Sequence, residues 1–191
     1  MEYKTRSYPL FSACGLNCGL CPRFHTAGTS KCPGCGGEGF LKVHPICGVL
    51  SCCQRKGLEY CFLCPEYPCK KFDGTDLTDS FITHQNQFRD LDKAKQMGIK
   101  AYEAELNEKV RMLENLLKMY DDGRRKSFYC LAVNLLELSD VKVVMEKIVD
   151  TADNAATIKE KAIIAVRFFE EMAEQRDVLL KLRKKNQVVK D

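Results

Sequence analysis

Cys14 to Cys69 reads CGLNCGLCPRFHTAGTSKCPGCGGEGFLKVHPICGVLSCCQRKGLEYCFLCPEYPC. These 56 residues hold eleven of the 12 cysteines in a chain of 191, and only Cys130 lies outside them. Nine of the 12 glycines and all six prolines fall within residues 1–72 as well. No apolar spacing of period 2 or 3.6 is sustained there. Such a segment has little apolar surface to bury, so something else must hold it. Metal–thiolate bonds can supply folding free energy directly.

Compartment decides between disulfides and metal. The first residues, MEYKTRSYPLF, carry no apolar core of a secretory leader. No apolar run approaches the roughly 18 residues that a membrane-spanning helix needs. A cytoplasmic protein is therefore expected, with no membrane partner. In a reducing compartment, dense cysteines read as metal or redox groups. The odd count of eleven also argues against a fully paired disulfide framework.

The cysteines form four groups: Cys14-x3-Cys18-x2-Cys21, Cys32-x2-Cys35, Cys47-x4-Cys52 with Cys53 adjacent, and Cys61-x2-Cys64-x4-Cys69. A two-residue gap lets a tight turn aim both sulfurs at one ion about 2.3 Å away. One such pair is a weak signal, and four ordered groups are a strong one. The expected metal ligands are Cys14, Cys18, Cys21, Cys32, Cys35, Cys47, Cys52, Cys61, Cys64 and Cys69. Cys53, His25 and His44 are candidate additional ligands, whereas His84 falls on an expected helix and reads as an ordinary histidine. Zinc takes four ligands, so at least two zinc sites are expected. The alternative cofactor is a [4Fe–4S] cluster. Cys14-x3-Cys18-x2-Cys21 has the spacing that radical-SAM enzymes use, and Cys21-Pro22 and Cys64-Pro65 are similar to ferredoxin-type ligation. The large α/β barrel of a radical-SAM enzyme is not expected here, because loops and then helices follow.

Taken in order, CGLNCGLCP, CPGCGG, the Cys47–Cys52 pair leading into RKG, and CFLCPEYPC resemble the cysteine-rich family called domain of unknown function 3795. The likeness covers residues 12–72 closely. It extends more loosely over 73–138, through DDGRRKSFYCLAVNLL (Asp121–Leu136). The resemblance implies a metal-binding protein of prokaryotes and no assigned activity. The family pattern has a small residue where Cys53 stands, which favours Cys52 as the ligand and leaves Cys53 a spare thiol.

Beyond residue 72 the composition changes. Residues 1–72 carry nine Lys and Arg against four Asp and Glu, and the remainder carries 21 against 22. The net charge of +4 is therefore mild, and thiolate ligands would offset it. With no clustered basic patch, nucleic acid is not an expected partner. With 45% hydrophobic and 29% charged residues the chain is not a disordered one. Helical periodicity predicts a helix from about Phe81 to Gln96, closed by Gly98. A second carries Val110, Leu113, Leu116, Leu117 and Tyr120, with Gly123 as its stop. A third runs from about Arg124 to Leu138, with Phe128, Leu131, Leu135 and Leu136 inward. A fourth follows Ser139 with Val141, Val144, Met145 and Ile148 inward. Thr157 and Glu160 match a capping box before a helix carrying Ile164, Phe168, Met172 and Leu179.

The expected fold is mainly α. A small, irregular, metal-stabilised cysteine-rich N-terminal module (1–72) packs on a C-terminal helical bundle of four or five helices (73–191). Arg124 and Arg125 stand where a helix should begin and oppose its dipole, which makes them candidate anion-binding or metal-site-facing residues. Cys130 has apolar neighbours and reads as a core thiol. The basic run Lys181–Lys185 reads as a solvated helix end. No P-loop, GxSxG or HExxH motif is present, so an enzymatic activity is left open. The function expected is a cytosolic metal-binding protein with several thiolate sites, structural zinc supporting a surface for a protein or small-molecule partner. The alternative is an iron–sulfur protein in electron transfer or redox catalysis.

Overall fold

The computed structural model describes residues 4–75, 77–152 and 157–184. Among these residues the protein is helical, with no strand. Two short helices lie in the cysteine-rich region, α1 (Phe40–Val43) and α2 (Gly48–Arg55). Five more follow: α3 (Gln87–Met97), α4 (Ile99–Met119), α5 (Lys126–Leu135), α6 (Leu138–Ala152) and α7 (Ile158–Gln175). That agrees with a bundle of four or five helices after residue 72.

Helix α4 is the scaffold. It packs against α3, α5, α6 and the 3-10 turn Cys18–Leu20. Its buried residues Tyr102, Leu106, Val110, Leu113 and Leu116 recur every three or four positions, as one apolar stripe requires. Helices α6 and α7 pack on each other, and α7 also meets α5. The capping box at the start of α7 is present. Thr157 Oγ1 accepts from the Glu160 amide at 3.2 Å, and the Thr157 amide donates to Glu160 Oε2 at 2.9 Å.

Two boundaries differ from expectation. α3 begins at Gln87, not near Phe81, because Asp79 captures the loop before it. The His84 amide donates to Asp79 Oδ1 at 2.7 Å. α7 ends at Gln175, and its buried face carries Phe169 where Phe168 was expected. Leu179 is therefore outside the helix and exposed. The basic run consequently does not cap a helix: Arg183 turns back and pairs with Asp79 at 2.9 Å, while Lys185 lies outside the described residues. On α5 the deepest residues are Tyr129, Ala132 and Val133, with Phe128 and Leu131 only partly covered.

The cysteine-rich region also contributes to the core. Phe11, Leu20, Phe40, Leu50, Tyr60 and Phe72 are buried in the same cluster as Leu91, Tyr102, Leu106 and Val110. Phe11 stacks at a tilt on Tyr102, with ring centroids 4.6 Å apart. The idea that this region buries little apolar surface is thereby corrected. A handful of well-spaced large side chains is enough to join one core, although no periodicity announces them.

A buried polar network seats the first cysteine loop on the helices. Asn17, inside CGLNC, donates to Asp90 Oδ2 at 2.8 Å and Asn134 Oδ1 at 3.1 Å. It accepts from the Tyr102 hydroxyl at 2.9 Å. Gln87 Nε2 donates to the Cys14 carbonyl at 2.9 Å. These bonds satisfy groups that would otherwise be costly to bury.

Burial raises the Asp90 carboxyl to about 6, against the pull of Lys109 and Arg89. A carboxyl raised on folding keeps its proton in the folded state where the unfolded chain has released it. Stability at this site is therefore complete near pH 4 and is lost as pH rises towards 6. Asp90→Asn should remove up to about 3 kcal/mol of that dependence. Urea unfolding of both proteins across this range would show it as a difference in slope.

Candidate metal centre

Six cysteines line one chamber of about 390 Å³: Cys14, Cys18, Cys21, Cys32, Cys35 and Cys47. Its remaining wall is largely apolar, with Leu16, Phe40 and Ile82 inside and the exposed Phe81 at its edge. Each motif enters by its own local device. Cys18 and Cys21 flank the 3-10 turn Cys18–Leu20, closed by the Cys21 amide donating to the Cys18 carbonyl at 3.1 Å. The Cys35 amide donates to the Pro9 carbonyl at 2.8 Å, which fixes the CPGC loop. Cys47 sits at the start of α2.

Gly15 explains why CGL must begin as it does. It has φ +93, and a Cβ there would stand 2.6 Å from the Gln87 carbonyl oxygen and collide with Leu91. Only glycine permits both that conformation and this approach to α3.

Four of the chamber thiols are pushed towards the neutral form. Burial raises Cys14 and Cys21, and it pushes Cys35 up to about 12. Cys18 is raised well above its ordinary value, by burial and by its neighbours Cys35, Cys14, Cys21 and Cys32. A metal must therefore displace protons, so uptake falls with falling pH. A buried cation works in the other direction. The Arg6 guanidinium favours the thiolate at both Cys35 and Cys53.

Five more cysteines line a second, smaller chamber of about 50 Å³: Cys52, Cys53, Cys61, Cys64 and Cys69. Cys52 and Cys53 come from α2, and Cys61 and Cys64 flank the 3-10 turn Cys61–Leu63. That turn repeats the first one. Cys18-Gly-Leu-Cys21-Pro and Cys61-Phe-Leu-Cys64-Pro share the same turn, and the Cys64 amide donates to the Cys61 carbonyl at 2.9 Å. Cys53 Sγ and Cys61 Sγ are 3.4 Å apart. The hydrogen bond between them lowers Cys53 and raises Cys61.

The structure thus divides the ten expected ligands and Cys53 between two chambers. The Cys47–Cys52 group is split, one end of α2 to each. All twelve cysteines are free thiols. Among the described residues no three His, Cys, Asp or Glu side chains are gathered closely enough to hold one ion.

His44 stands on the rim of the large chamber, exposed and stacked on Phe40 at 4.4 Å. Its Nδ1 donates to the Pro45 carbonyl at 2.8 Å. His25 is not among the lining residues, and its Nε2 bonds the Gly19 carbonyl at 2.8 Å. His84, read from sequence as an ordinary histidine, lines the large chamber, as does Arg23. Arg124 and Arg125 line neither chamber, and Asp122 and Asp121 bind their amides at 3.1 and 2.8 Å. Cys130 is a buried thiol on α5, raised to about 12 by burial.

The segment Ser80–His84 closes one side of the large chamber, and a strap beyond α7 holds it. Asp79, its side chain fully buried, accepts from the Arg183 amide at 2.6 Å and from its guanidinium at 2.9 Å. Burial alone would raise this carboxyl, but Arg183 and the His84 amide hold it below its ordinary value. Gln85 Nε2 also donates to the Lys181 carbonyl at 3.1 Å.

Residues 10–74 match the family model described as Protein of unknown function (DUF3795). The DUF3795 match spans about a third of the chain and includes every lining cysteine of both chambers. The sequence resemblance therefore holds over the cysteine-rich region. Searches of the curated proteins and of the solved structures find no match. Among the described residues no helix is long and apolar enough to cross a membrane.

Arg183→Ala should loosen the strap and expose the large chamber. In the reduced, metal-free protein, its six thiols should react several-fold faster with a water-soluble maleimide. The five small-chamber thiols should keep their rates and serve as the internal control, read by peptide mass mapping.

Proposed function

We propose that the protein is a metal-binding protein whose six-cysteine chamber holds a polynuclear centre, an iron–sulfur cluster of the [4Fe–4S] kind. The supporting observation is six thiols lining one roomy cavity of about 390 Å³. A lone tetrahedral zinc would draw four sulfurs to within about 3.8 Å of one another, given Zn–S bonds near 2.3 Å. A cluster interposes sulfide and further iron between its thiolates, which suits donors standing apart around a shared space. The donor chemistry fits as well, since thiolates are the ligands that such clusters take.

Cys14, Cys18 and Cys21 are the natural first three ligands, with the fourth from Cys32, Cys35 or Cys47. When bound, such a cluster would supply one-electron transfer. The chain would contribute an apolar wall that excludes water and a buried guanidinium, Arg6, that offsets thiolate charge. At the mouth, the Arg23 guanidinium lies over the Phe81 ring at 5.2 Å, and Phe81 is 64% exposed. That edge is where a protein or small-molecule partner would reach the chamber.

Anaerobic purification followed by metal analysis, sulfide analysis and a visible spectrum tests this reading. The expected result is a brown protein with about four iron and four acid-labile sulfide per chain. Cys18→Ser should abolish the colour. A colourless protein holding zinc alone would overturn the reading in favour of structural zinc.

A further inference from the structure

We propose that the small chamber is a second, separate metal centre, a single-ion zinc site with Cys53, Cys61, Cys64 and Cys69 as its thiolates. This goes beyond the cluster assigned to the large chamber and does not depend on it. The separation of Cys53 Sγ from Cys61 Sγ, 3.4 Å, is the first argument. It lies close to the roughly 3.8 Å edge of a zinc–thiolate tetrahedron. It is far longer than the roughly 2.05 Å of a disulfide bond. Two of the four donors are thus already at the spacing that one ion requires.

Size is the second argument. At about 50 Å³ this chamber has room for a single ion, where the other has several times that space. The third is the turn that carries Cys61 and Cys64, which repeats the Cys18–Cys21 turn of the large chamber. Charge is the fourth. Four thiolates around a divalent ion leave a net negative site. Here the Lys56 ammonium stands 3.4 Å from Cys64 Sγ, anchored to Glu66 at 2.8 Å.

The choice of Cys53 over Cys52 follows from α2. Adjacent helical residues point about 100° apart, so the two cannot address one ion equally. Cys53 is 3% exposed and touches Cys61, whereas Cys52 is only partly covered. Capture of an ion by Cys53 and Cys61 would draw Cys64 and Cys69 in from the same wall. Each bound thiol would release its proton to solvent as the metal–sulfur bond forms.

The experiment compares wild type, Cys53→Ser, Cys52→Ser and Cys18→Ser, each full-length and purified anaerobically. Zinc, iron and sulfide per chain are measured before and after dialysis against a chelator. Cobalt(II) substitution reports the coordination geometry. Wild type should retain one zinc, replaceable by cobalt with a tetrahedral thiolate spectrum. Cys53→Ser should lose it or bind it at least tenfold more weakly, and Cys52→Ser should keep it. Cys18→Ser should keep the zinc whatever becomes of the iron, so failure of the cluster reading and failure of this one are distinguishable. Helix content by circular dichroism must match wild type for Cys53→Ser to count. If that variant unfolds, the cobalt spectrum of wild type and zinc retention in Cys52→Ser decide. Loss of zinc in Cys52→Ser alone would overturn the proposal. So would a wild type that binds no zinc, or one with a Cys53–Cys61 disulfide in its place.

Discussion

A single buried guanidinium joins the segments that carry the two thiol chambers. Arg6 donates to the Phe11 carbonyl at 2.7 Å and the Cys35 carbonyl at 3.4 Å. It also reaches the Glu59 carboxylate at 2.9 Å and the Glu59 carbonyl at 3.3 Å. Its guanidinium lies over the Tyr60 ring at 5.0 Å. Removing a cation from water costs several kcal/mol, and partners this numerous are what make it tolerable. The placement has an electrostatic return. Thiolates are anions that dislike burial, and Arg6 is a buried positive charge that favours the thiolate at one cysteine of each set. Packing of the N-terminal segment and the chemistry of the sulfurs are thus one problem, solved by one side chain.

Asn17 is the matching device on the helical side. It ties the first cysteine loop to α3, α4 and α5 through Asp90, Tyr102 and Asn134. The loop is therefore oriented by protein contacts alone. An ion taken up there would have less ordering entropy to overcome, because the backbone of Cys14–Cys21 is already placed. The raised Cys14, Cys18, Cys21 and Cys35 fit the same picture, since burial and neighbouring thiolates both disfavour the anion.

The helical elements were legible from periodicity, and the capping box of α7 from two residues. Their ends were less so, for tertiary reasons. Asp79 and Arg183 meet across 104 positions, and that contact, invisible locally, sets the start of α3 and the path after α7. The presence of a cysteine site was legible from spacing, but its grouping was not. Four clusters along the chain become two chambers in space, since α2 carries Cys47 to one and Cys52 and Cys53 to the other. Arg6 and Asn17 gave no signal. A lone arginine near the start of a chain and an asparagine between cysteines are ordinary until their distant partners are known.

Helix α2 has eight residues, so it spans about 12 Å. One chamber's sulfur stands at its first turn and the other's at its last. Its hydrogen-bonded backbone fixes the spacing between the two sets of thiols, so the chambers share one short element of wall while each keeps its own sulfurs.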